Sequence, residues 1–368
     1  MKPIFFFNLL ILLVFISCKR NDSVDIVVID IADKIVQPKH YIVTKTVDPL
    51  IIDGIADEPG WEQSSFSDYF IDIEGVKKPK FDTRFKMLWD DTFIYVYGEL
   101  QEPYIWGDLT ERDAIIYYNN DFEVFIDPTG TGVNYGEVEI NALGTVFDLL
   151  LNKPYKVGGK AIIHWNLNEL KSAVHIEGTL NDHSDVDSMW TVEMAIPLIA
   201  LLEPRTDKLI PPLEGEQWRM NFSRVAWEHY IVDGKYQKKK ENGKLLPESN
   251  WVWSNQKVIN MHEPEKWGYL QFTHQSSLEG IEFKKDEDLI VKQIAFALFR
   301  ETQFGSLKNL LENDAGYSKN VMAKLSEDEM ITATFYKTLL GFEYKLKSPW
   351  TRKIFAINEE GILKLLDE

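Results

Sequence analysis

From residue 41 to residue 273, apolar side chains fall in short alternating or continuous runs that Gly, Pro, Asp and Asn interrupt. A period of two puts every other side chain on one face of a sheet, so the pattern predicts strands rather than helices. The runs predict strands at 84–89, 93–100, 122–127, 136–142, 145–151, 173–180, 190–196, 218–226 and 267–272. Short strands separated by turn residues are the signature of an all-β sandwich, here mostly antiparallel. Within this region only the stretch from Ile196 to Leu202 suggests a helical turn, with Pro197 near its first position.

The pattern changes at both ends. After a polar stretch at 275–280, Ile290, Ile294, Ala297 and Leu298 recur at a helical period, which predicts a helix over 289–304. A second short helix is expected around 321–325, followed by β-like runs at 331–335, 342–346 and 353–357, so 280–368 reads as a small C-terminal α+β appendage. At the N-terminus, Lys2 precedes an apolar run from Ile4 to Ile16 that only Asn8 interrupts. A spanning helix needs about 20 residues, so the run reads as an export signal over 1–17. Phe15-Ile16-Ser17-Cys18 resembles a bacterial lipobox, although Phe15 stands where Leu is usual. This resemblance implies lipidation at Cys18 and a location at the bacterial outer membrane or cell surface, with membrane contact through the lipid anchor only. A polar tether is expected over 18–40. Because Cys18 is the chain's one cysteine, no internal disulfide can form and stability must come from core burial.

Charge and motifs narrow the chemistry. The chain of 368 residues carries 40 Lys plus Arg against 58 Asp plus Glu, a net charge of −18. Phosphate contact needs clustered basic residues, and the run Lys238 to Lys240 is too short to supply them, so nucleic acid is excluded as a partner. No G-x-S-x-G elbow, Walker loop, H-E-x-x-H helix or cysteine metal knot is present, and the seven histidines are scattered singly. Glu123 with Asp127, or Glu137 with Glu139, could form a glycosidase pair, whose carboxyls lie about 5 to 9.5 Å apart. Residues two apart on a strand are about 6.6–6.8 Å apart, which neither supports nor excludes that role.

In Glu137-Val138-Glu139-Ile140-Asn141, alternation puts the two acids and the amide on one face and Val138 and Ile140 in the core. A sugar ring has apolar faces and a rim of hydroxyls, so its site wants carboxylates and amides beside an aromatic plane. Trp106, Tyr117 and Tyr118 precede Glu123 and supply such planes. The plain alternative is a solvated sheet face next to core aromatics.

Several segments then occur in a telling order. They are Ile52-Asp53-Gly54 with Trp61, Leu88-Trp89-Asp90-Asp91 before Phe93-Ile94-Tyr95, Asp121-Phe122-Glu123-Val124-Phe125-Ile126-Asp127, Trp190-Thr191-Val192-Glu193, Trp253-Ser254 and Lys266-Trp267-Gly268. Across about 41–273 this order resembles the family 9 carbohydrate-binding module and its DOMON-like, immunoglobulin-like sandwich relatives. The resemblance implies a sugar ring clamped between two aromatics and hydrogen-bonded by acidic, amide and basic groups. Its first aromatic falls on Tyr117 and its ligand-bonding acid on Glu123. The family's basic residue is met by Glu139, the neighbouring amide by Asn141, and the second aromatic by Met261. Trp106, Trp165 or Trp227 would have to replace that missing plane.

The resemblance also implies a structural calcium ion, held by loop acids it does not assign. Haem-binding relatives use a Met and a His, but Met261 and His262 are adjacent, and neighbours on a strand point to opposite faces. The expected function is an exported, lipid-anchored, non-catalytic protein that captures polysaccharide or oligosaccharide. The alternatives are a glycoside hydrolase or its accessory domain in carbohydrate catabolism, and an envelope structural or partner-binding protein whose sugar site has decayed.

Overall fold

The computed structural model describes residues 26–205 and 211–366, so Cys18 and the expected export signal lie outside the described residues. In chain order the main elements are β1 (Val27–Asp30), β2 (His40–Lys45), β3 (Thr83–Trp89), β4 (Phe93–Gln101), β5 (Asp121–Asp127), β6 (Tyr135–Asn141), β7 (Val146–Leu151), β8 (Lys171–Glu177) and β9 (Met189–Pro197). They continue with β10 (Gln217–Ala226), β11 (Ser249–Val252), β12 (Gly268–Phe272), α1 (Leu289–Phe304), β13 (Ser318–Lys324), β14 (Met330–Lys337), β15 (Phe342–Lys347), β16 (Ile354–Asn358) and β17 (Leu363–Leu366).

One curled mixed sheet runs β8-β9-β4-β3-β2-β12-β10-β5-β6-β7, with β11 paired to β10. Strand β2 is parallel to both β3 and β12, and through it two antiparallel halves join and fold over each other as a β-sandwich. Phe85, Met87, Val96 and Val192 of one half meet Phe122, Val124, Val138 and Phe222 of the other. The Phe85 and Phe222 rings stack with centroids 3.8 Å apart at the centre of this core. A second apolar cluster, with Phe125, Tyr135, Phe147, Leu149, Met261 and Trp267, covers the outer face of the β5–β6–β7 half. Strands β5, β6 and β7 are therefore buried on both faces along their whole length.

The remaining strands form a six-stranded sheet in the order β1-β13-β14-β15-β16-β17, whose core α1 shares. Two expectations are corrected here. The short helix expected around 321–325 is strand β13: Val321 and Ala323 alternate into the core, and their backbones pair with Val27 and Ile29. The segment expected as a tether is structured from Val27 onward, because β1 adds a parallel edge to β13 and Ile31 is fully buried beside α1. The two units meet at Arg300 of α1, whose guanidinium reaches Glu265 at 2.6 Å and Glu263 at 3.3 Å. Among the described residues no helix is long and apolar enough to cross a membrane.

Two stability measurements test this packing. Truncating a buried Ile to Ala leaves a cavity and costs about 2–5 kcal/mol, so Ile31→Ala should lower the urea midpoint clearly, whereas a tether residue would be silent. His262 is packed on Phe125, Tyr135 and Tyr155, with the Tyr135 hydroxyl 2.9 Å from its Nδ1. Burial pushes its pKa down from 6.5 to about 4, while the following Glu263 is ion-paired to Arg300 and Lys266. The unfolded chain thus binds a proton that the folded one refuses, so stability present above pH 6.5 is lost as pH falls through about 4. Carboxyls whose pKa burial raises act in the opposite sense over the same window, so the effect is read as a difference. Relative to the parent, His262→Gln should keep more of its thermal midpoint as pH falls from 6.5 to about 4, and parallel profiles of the two proteins would show that His262 contributes nothing.

Candidate functional site

The site is built by strand register. Glu123 of β5 stands directly opposite Glu139 of β6 on one side and Ser223 of β10 on the other. Because directly opposed residues share a face, Asp121, Glu123, Glu137, Glu139 and Ser223 all project from the outer face, away from the sandwich core. One carboxylate oxygen from each of Asp121, Glu123 and Glu139 lies within 4.8 Å of the others. The expected polar face exists, but it is not solvated: these four acids are 0 to 5% exposed.

The cover is a short 3-10 turn, Ile116–Tyr118. Ile116 is buried in the outer cluster, the Tyr117 amide donates to Glu139 Oε2 at 2.9 Å, and the Trp227 indole donates to the Tyr117 carbonyl at 2.8 Å. The Tyr117 ring is half-buried and Tyr118 is 43% exposed, with ring centroids 4.5 Å apart. Lys238 lies over Trp227 at 4.1 Å and over Tyr118 at 4.8 Å, which adds a cation to an exposed aromatic edge. The sequence order of Tyr117 before Glu123 thus becomes spatial adjacency through Glu139.

Desolvation dominates the electrostatics. It raises the pKa of Glu123 to about 7, and with repulsion from Glu123 it raises Glu137 to about 8. Asp121 and Glu139 are pushed well above the usual carboxylate range by the same causes. The guanidinium of Arg224, on β10, serves the other side, donating to Glu102, the Thr83 hydroxyl and the Gln101 carbonyl.

The other expected site residues have different work. Trp106 is 4% exposed and stacks on Tyr236 at 6.0 Å, so it presents no open plane. Asn141 is fully buried: its amide donates to the Leu109 carbonyl and Asn119, and its oxygen accepts from Leu143 and Thr145. It organises loops rather than facing a ligand. Trp165 packs against Gly136 on the inner face, opposite to Glu137. Met261 is 8% exposed within the outer cluster. Asp127, half of one suggested glycosidase pair, is consumed by the Thr129, Gly130 and Gly132 amides of the following turn. Sequence reasoning missed Asp121, Ser223 and Lys238 as site residues. Alternation along β5 could have found Asp121, two residues before Glu123, whereas Ser223 depends on which strand lies next to β5.

The family model "Carbohydrate family 9 binding domain-like" matches residues 52–274. Among solved structures, a family 9 carbohydrate-binding module from Caldicellulosiruptor kristjanssonii in complex with cellotriose is similar at 14% identity and a TM-score of 0.41, covering 67% of this chain and 100% of that one. The same organism's module in complex with glucose gives 14% identity and a TM-score of 0.40, covering 64% and 97%. A putative carbohydrate-binding protein from Bacteroides uniformis gives 17% identity and a TM-score of 0.46, covering 64% and 100%. No curated protein matches. Matched by its model over more than half its length, the chain belongs to the carbohydrate family 9 binding domain-like family.

Proposed function

We propose that this protein binds carbohydrate without cleaving it, at the rim where Tyr117 and Tyr118 stand over the buried acids. The observation that carries the reading is the half-open Tyr117 ring, fixed by its own backbone to Glu139 and Trp227 and lying against Tyr118, over which Lys238 is placed. A pyranose has apolar faces that stack on such a ring and hydroxyls that bond to carboxylate and ammonium. The net charge of −18 favours neutral over polyanionic glycans. Residues 1–18 support export and acylation of Cys18, which would hold the protein at the bacterial outer membrane or cell surface. Cys18→Ser should move it from the membrane to the soluble fraction.

Titration against a panel of neutral oligosaccharides should reveal millimolar to micromolar binding. Ring stacking is worth about 0.5–1.5 kcal/mol, so Tyr117→Ala should weaken it roughly threefold to tenfold, while Tyr117→Phe retains it. Equal affinity for parent and Tyr117→Ala would displace the site. Reducing sugar released from the panel would replace this reading with the hydrolase one, and a panel with no ligand at all would favour the partner-binding envelope protein.

A further inference from the structure

We propose that the cleft between the outer face of β10 and β12 and the C-terminal unit is a second binding site, for a sugar unit bearing one carboxylate, with Arg219, Lys284 and Lys285 receiving the charge. The cleft has a volume of about 800 Å³. Small-molecule sites are clefts of about 300–1,000 Å³ and favour the junction of two folding units. Strand register builds this one. Arg219 stands directly opposite Tyr269, and Gln217 opposite Gln271, while Trp218, Met220 and Leu270 between them point into the sandwich core. The first four side chains therefore project outward together, toward the C-terminal unit. Lys284 is bonded through its backbone to the Gln217 and Gln271 side chains, which places it about 6.6–6.8 Å along the strands from the Arg219 level.

The guanidinium of Arg219 points to an anion. The residue is 6% exposed. Its Nη2 donates to the Pro264 and Glu265 carbonyls, and the group lies over the Tyr269 ring at 4.0 Å. Its other N–H groups make no hydrogen bond among the described residues, and no carboxylate is ion-paired to it there. Asp127 is directly opposite on β5, but its oxygens accept from the Thr129, Gly130 and Gly132 amides. A desolvated cation with open donors gains most from an anion that takes them.

The surrounding charges agree. Glu265 is paired with Arg300, Asp286 with Lys292 and Asp288 with Lys353. Lys284 and Lys285 are exposed and make no ion pair among the described residues, and of the lining acids only Glu287 is left to oppose them. The cleft is thus locally positive on a chain of net charge −18, a setting that admits one anionic group and repels a polyanion. Phe296 and the 55% exposed Leu365 add apolar surface to the same cleft. A uronate answers all of these features: a carboxylate for the guanidinium and ammonium groups, hydroxyls for the Gln217 amide, and an apolar pyranose face for Phe296 and Leu365. The sugar ring rests on the carbohydrate-binding reading, but the cleft uses none of the residues of the Tyr117 rim, so the two fail separately.

The test is titration calorimetry of the full-length protein with glucuronate and galacturonate, with glucose as the neutral probe and glucose 6-sulfate as the alternative anion. A uronate should bind at least tenfold more tightly than glucose, more tightly than the sulfate, and less tightly as salt is raised. Arg219→Gln should weaken it at least tenfold and leave binding of neutral oligosaccharides unchanged, whereas Tyr117→Ala should do the reverse. Should Arg219→Gln fail to fold, the exposed pair Lys284→Gln/Lys285→Gln, at least fivefold weaker for the uronate, decides. Uronates bound no more tightly than glucose, a preference for the sulfate, or charge variants that bind uronate like the parent overturn the proposal. Loss of neutral-sugar binding alone would sink the Tyr117 rim and leave the cleft standing.

Discussion

Burial of both faces of the β5–β6 half-sheet is the constraint from which the rest follows. The inner face packs as an apolar core, with Phe122, Val124, Val138 and Ile140 against the facing half. The outer face is covered by its own cluster and by the Ile116–Tyr118 turn, yet it presents Asp121, Glu123, Glu137 and Glu139. Carboxylates in such a place are strongly disfavoured in their charged form, so their pKa values rise. A purely structural sheet would place Leu or Val at these positions at lower cost. Perturbed acids gathered at one spot beneath an aromatic rim are the pattern expected of a functional site, which supports the binding proposed there.

The rim itself is held by hydrogen bonds rather than by packing alone. Asn119 Oδ1 accepts from the Asp108 and Leu109 amides and from Asn141, while Asn120 accepts from the Trp227 amide and donates to Glu102. The Trp227 indole then fixes the Tyr117 carbonyl. Each of these side chains is buried, so the turn that carries Tyr117 is tied to β5, β6 and the strand end after β10 at once. A platform fixed in this way loses little conformational freedom on binding, which favours recognition of weakly held ligands such as sugars.

Much of the fold was legible because its signals are local. Alternation marked β3 to β6, β9 and β10 to within a residue or two, and the helical period at Ile290, Ile294 and Leu298 marked α1. What failed depended on distant pairing. Strand β13 carries a short mixture of apolar and polar residues that suits a helix equally well, and its pairing with β14 on one side and with β1, from the other end of the chain, on the other decides for a strand. The same logic divides the site. Tyr117, Glu123 and Glu139 are brought together, since hairpin register follows from adjacent strands. Trp106 and Asn141 are absorbed into packing and loop bonding, because sequence proximity to a site says nothing about which way a side chain is used.

Met261 gives the departure from the family pattern a physical meaning. It lies in the outer cluster together with Ile116, the residue before the Tyr117 platform, so the position resembling the second clamp aromatic has been drawn into the hydrophobic cover. A flexible thioether fills such an irregular gap well but offers no flat face for stacking. A ring lying on Tyr117 would therefore keep its second face open to water, gaining one stacking contact instead of two. The loss on that side makes the polar groups behind Tyr117 more important, and there the chain has placed Glu139 where the resemblance leads one to expect a base. Under the proposed reading, loss of an aromatic plane and replacement of a base by a buried acid would both shift recognition from a two-sided clamp toward a one-sided platform.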